Sequence, residues 1–170
     1  DIVIGSGNAE ASTTGTLLLS TGTSDEDVAG AIALVAGKSG YAAGTGAGAI
    51  SLTAGSTTRG DGGMVSIESG EAGIGKSGEI EIKSGNTSFG DAGDVNIVGG
   101  SGGVRGVGAN VVVKAGNGEA KGGSLAFRSG ASNVSDSGNI TLATRGSVYG
   151  DSGTVDISTG MTTSGSTGSI

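Results

Sequence analysis

A chain of 170 residues is about the length of one domain, yet 39 Gly, no Pro, no Cys, no Trp, no His and 2% aromatic residues make an ordinary globule a poor expectation. The formal net charge of −7 argues against a DNA- or RNA-binding role, and the lack of Cys and His excludes disulfides, zinc thiolates and Ser/His or Cys/His catalytic pairs. No apolar run approaches the ~18 residues that a membrane-spanning helix needs, and collagen is excluded by the missing Pro and three-residue period.

The chain opens on Asp1-Ile2-Val3-Ile4 and then repeats a short apolar motif to its end. Its first apolar position falls at Ile2, Leu17, Ile32, Ile50, Val65, Ile80, Val95, Val111, Leu125, Ile140, Val155 and Ile170. A second apolar residue follows two positions on, then a small residue, then a closing glycine, most plainly in Ile80, Ile82, Ser84 and Gly85. Alternation by two puts both apolar residues and the small one on one side of an extended chain. The small set runs Ser6, Thr21, Ala36, Ala54, Ser69, Ser84, Gly99, Ala115, Ser129, Thr144 and Thr159. About eight residues beyond each closing glycine a second glycine opens the next motif, as in the pairs Gly55 with Gly63, Gly70 with Gly78, and Gly130 with Gly138. Four residues past the closing glycine lies another candidate inward residue: Tyr41, Ile74, Phe89, Val104 and Val134, with Tyr149 roughly equivalent. Glycine is the residue for corners, because it takes positive φ without a side-chain clash.

A fixed period of this length predicts units that stack on their neighbours. The expected fold is all-β: a two-sided parallel beta-solenoid, or beta-helix, with coils of about 15 residues and about eleven coils. Residues 1–170 read as a single array. Its ends fall inside motif copies, without an initiator Met, signal peptide or capping unit, so the expectation is a window of a longer repeat protein. Departures from the period, chiefly in 41–48 and around Val111, belong in loops.

Three groups of residues invite a chemical reading. Asp61, Asp91, Asp136 and Asp151 share one place before an opening glycine and are calcium candidates if stacking aligns them. The plainer expectation is that each bonds the amides of its own turn, with Lys76 interrupting the row and pairing with Asp61 and Asp91. Glu79, Glu81, Asp94 and Asp156 have the composition of a carboxylate pair for glycoside hydrolysis, but they mix with Lys83, Lys114 and Arg128 as a solvated charged face would. Thr16, Thr141 and Thr154 point outward as an ice-binding row would, though Met64, Glu79, Asp94 and Val112 break it. Three Asn-X-Ser/Thr acceptors, at Asn86, Asn133 and Asn139, permit glycosylation. No catalytic residue, metal or cofactor emerges, and the expectation is that the chain is not an enzyme.

The repeated Gly-X-Ile-X-Ile-X-Ser-Gly unit, with Gly-Asp-X-Gly between several copies, resembles the Gly/Ser/Thr-rich tandem repeats of large secreted or cell-surface proteins of algae such as diatoms. More loosely it resembles bacterial beta-solenoid adhesins. The resemblance implies a structural or adhesive component of an extracellular filament, wall or surface layer, associating with itself or with other copies of a fibre protein, and with glycans. A module that binds ice or polysaccharide through one flat face is the alternative.

Overall fold

A glycine at each end of a polar excursion allows the backbone to leave and return to nearly the same point. The computed structural model, which describes residues 2–10, 13–40 and 46–170, uses the glycine pairs in this way. In six excursions the residue that ends the excursion, a glycine in all but one, donates its N–H to the carbonyl of the closing glycine before it, so these six are pinched shut at the base.

The chain divides into two units, Asp1–Ile82 and Lys83–Ile170. In the first, the pinches are Gly48 N to Gly37 O at 3.1 Å, Gly63 N to Gly55 O at 2.9 Å and Gly78 N to Gly70 O at 2.9 Å. Thr21 adds a side-chain version, its Oγ1 donating to the Gly30 carbonyl at 3.0 Å. In the second, Ala109 N reaches Gly100 O at 2.9 Å, Gly123 N reaches Gly116 O at 2.9 Å, and Gly138 N reaches Gly130 O at 3.0 Å.

The small residue that precedes each closing glycine now has a physical role. It lies against the opening glycine that returns to it. A Cβ placed on Gly78 would stand 3.1 Å from the Ser69 Cβ and 3.2 Å from the Gly70 amide nitrogen, and one on Gly63 would stand 3.3 Å from the Ala54 Cβ and 3.1 Å from the Gly55 nitrogen. A larger residue on either side would hold the pinch open. Ala36, Ala54, Gly99 and Ala115 are accordingly among the half-buried residues; Ser84 is half-buried too, although a Cβ on Gly93 would meet nothing within 4 Å.

The two-residue alternation of the apolar motif is also real. Val111 and Val113 are 54% and 59% exposed, while Val112 between them is 82% exposed. The first apolar position is more covered than the second throughout, from Ile32 to Val155. Coverage stops near one half, however, so much of the roughly 1.5–3 kcal/mol available from fully burying each such side chain is not realised.

The expected all-β solenoid is therefore corrected. Among the described residues there is no helix and no strand, no buried hydrophobic side chain, and no backbone hydrogen bond between equivalent positions of successive units. Where the base is pinched, the glycine pair is part of the reason: the opening glycine's N–H, which a coil-to-coil ladder could use for the neighbouring rung, is taken by its own unit's closing carbonyl. The accessible surface is 17297 Å². A packed domain of this mass would expose about 7,300 Å² and its unfolded chain about 23,000 Å², so the chain lies nearer the open limit.

Candidate functional site

In five excursions the turn rests on a hydroxyl two residues past the closing glycine. Thr57 Oγ1 accepts from the Arg59 amide at 3.2 Å and donates to the Arg59 carbonyl at 2.9 Å. Thr87 repeats this with Phe89, at 3.3 Å and 2.7 Å. Ser132 accepts from Val134 at 3.3 Å and Ser135 at 3.0 Å, Ser24 accepts from Asp27 at 3.1 Å, and Thr162 donates to the Ser164 carbonyl at 3.1 Å. Such a bond lets a side chain stand in for a backbone turn. The signal was in the sequence, as Ser or Thr recurring at that offset, but it hides in a chain rich in both.

Glycine at the fifth position completes the bend. Gly60, Gly75, Gly90 and Gly165 have φ of 106°, 103°, 94° and 124°. A side-chain-bearing residue held there would be strained by about 1–3 kcal/mol. One excursion turns differently, through a bond from Gly106 N to Gly103 O at 2.9 Å, with Arg105 at φ 63°.

The tip of the excursion is its fourth residue, and the expectation that it points inward is corrected. Ile74 and Tyr149 are each 101% exposed, Val104 and Val134 98%, and Phe89 95%. The bend turns the fourth residue away from the pinched base, leaving it no neighbour to cover it. Tyr41 lies outside the described residues.

The acidic candidates do not converge. Asp61, Asp91, Asp136 and Asp151 are exposed, and among the described residues no group of three carboxylates could hold a metal ion. The turn amides they were expected to bond are served in several excursions by hydroxyls. Calcium is thus expected to show no saturable binding below about 1 mM, the weak end of extracellular calcium modules, in isothermal titration calorimetry. A stoichiometric, saturable heat in the micromolar range would contradict this.

Glu79, Glu81, Asp94 and Asp156 are exposed too, and among the described residues no pocket is formed that would set two of them across a substrate. Thr16, Thr141 and Thr154 are exposed, but no sheet among the described residues aligns them on a flat face. Asn86, Asn133 and Asn139 are exposed, the first two within excursions. No helix among the described residues is long and apolar enough to cross a membrane. Comparison of the chain with family models, with curated proteins and with solved structures finds no match.

Proposed function

We propose that the chain is a structural or adhesive component of an extracellular filament, wall or surface layer. It works beside other copies of itself or of a fibre protein, with glycans among the surfaces it meets. The observation that supports this reading is the recurring excursion with a fully exposed apolar residue at its tip, in Ile74, Phe89, Val134 and Tyr149; the base is pinched in 70–78 and 130–138, and a hydroxyl builds the turn at Thr87, Ser132 and Ser147. One exposed apolar side chain is ordinary on a protein surface. The same display at intervals of about fifteen residues allows many weak contacts to act together, because each bound tip raises the effective concentration of the next.

The test is labelling of intact, unpermeabilised source cells and their shed wall material with an antibody raised against the chain. Label is expected on the outer surface or in extracted filaments. Label that appears only after permeabilisation would overturn the proposal.

A further inference from the structure

Excursion 55–63 differs from its neighbours at the tip. The fourth position, apolar in Ile74, Phe89, Val134 and Tyr149, is Arg59 here, and Gly60 and Asp61 follow it. Phe89 and Tyr149 are also followed by Gly-Asp, whereas Arg105, Arg128 and Arg145 are not. Only Arg59-Gly60-Asp61 therefore sets a guanidinium and a carboxylate on either side of a tip glycine.

The excursion holds this pair in a defined bend. Its base is pinched by Gly63 N to Gly55 O at 2.9 Å, and Thr57 Oγ1 holds the Arg59 amide at 3.2 Å and the Arg59 carbonyl at 2.9 Å. Gly60 turns the chain between the two charges at φ 106°, where a residue with a Cβ is strained although nothing stands within 4 Å. Unlike charges so close in sequence could neutralise each other. Here both side chains are exposed, and among the described residues neither makes a hydrogen bond or ion pair; the pairing expected between Lys76 and Asp61 is not formed.

The two groups call for different partners. A guanidinium is matched by a carboxylate through two parallel bonds, and a carboxylate is a ligand for a hard divalent cation. Both demands are met by one cleft that holds such a cation at one end and carboxylates at the other. The chain offers no such cleft to itself, since among the described residues no metal-holding group and no pocket form. A fixed bend between the charges suits a site of equally fixed spacing, which a folded receptor has and a lipid or glycan surface lacks. We propose that excursion 55–63 presents Arg59-Gly60-Asp61 to a cation-dependent cell-adhesion receptor. The receptor's divalent cation takes the Asp61 carboxylate, and its acidic side chains take the Arg59 guanidinium. Closing the excursion in advance reduces the ordering that binding would otherwise require. The proposal rests on the reading of the chain as an extracellular adhesive component and adds a partner to it.

The experiment is surface plasmon resonance of the full 170-residue chain, from about 0.1 to 100 μM, over an immobilised integrin ectodomain of the Arg-Gly-Asp-binding class in about 1 mM Mg2+. Saturable binding is expected, abolished by EDTA and by an excess of the peptide Gly-Arg-Gly-Asp-Ser. Asp61→Glu keeps the charge but displaces the carboxylate, and is expected to weaken binding at least about tenfold. Asp91→Glu, made beside a glycine but without the arginine, is expected to change it less than about twofold. Gly63→Val crowds the base, where its Cβ would stand 3.1 Å from the Gly55 amide nitrogen, and is expected to weaken binding about threefold or more. Asp61→Glu binding like wild type, binding that survives EDTA, or no saturable binding at the highest concentration overturns the proposal. Gly63→Val without effect overturns the part assigned to the pinch. Cell-surface labelling decides the extracellular reading separately, since purified components bind or fail to bind wherever the chain resides.

Discussion

In dilute solution, below the range in which copies associate, the chain should unfold in urea with an m-value about one third of that of a packed domain of the same length. The denaturant slope scales with the surface newly exposed. A packed domain of this mass would open from about 7,300 to about 23,000 Å². This chain already exposes 17297 Å² and has little more to give. The heat-capacity step in calorimetry should be small for the same reason, since it too follows newly hydrated apolar area. A steep transition with an ordinary m-value at 1 μM or so, where most weak dimers are dissociated, would contradict this exposed arrangement of the apolar motif.

The second large effect concerns the opening glycines. Gly78→Val is expected to spring the pinch of the excursion 70–78. Its Cβ would meet the Ser69 Cβ at 3.1 Å, and the added methyl groups would crowd the base further. Overpacking of this kind costs about 1–3 kcal/mol, and the bond from residue 78 to the Gly70 carbonyl contributes a further ~1 kcal/mol net. Amide exchange at residue 78 should accelerate at least tenfold. The closing glycines provide the contrast, because a Cβ on Gly70 or Gly85 meets nothing within 4 Å. Gly70→Ala is expected to leave exchange at residue 78 unchanged or slow it, by restricting the unfolded chain by about 0.4–1 kcal/mol. Equal sensitivity at Gly78 and Gly70 would contradict the asymmetry.

That asymmetry also shows how much could be read from the residues. Periodicity located the ends of each excursion, the small residue beside each closing glycine and the alternation in Val111-Val112-Val113, because steric and side-preference constraints mark the sequence directly. It said nothing about what covers the apolar side. Ile80 and Val95 at a fixed interval are equally compatible with stacking on each other, with meeting another chain, or with remaining open. The expectation of stacked coils supplied a cover that the backbone bonds of the structure do not provide. Direction at the tip was similarly hidden. Phe89 looks inward-facing by hydrophobicity, but the Thr87 hydroxyl and the positive φ of Gly90 aim it outward. The carboxylate sites were legible as residues and not as sites, since only convergence in space makes a ligand set.

The pinch has one further consequence. It closes over seven residues in Gly116 to Gly123, eight in Gly55 to Gly63 and eleven in Gly37 to Gly48, with bonds of 2.9 to 3.1 Å in every case. Chain-closure entropy separates the shortest from the longest by only about 0.4 kcal/mol. Length is therefore a nearly free variable at each such base, and a lineage can lengthen, shorten or re-letter one protrusion without re-registering the motifs on either side. Foreign peptides grafted between Gly116 and Gly123 should inherit the same freedom, which makes the chain a natural carrier for arrayed epitopes.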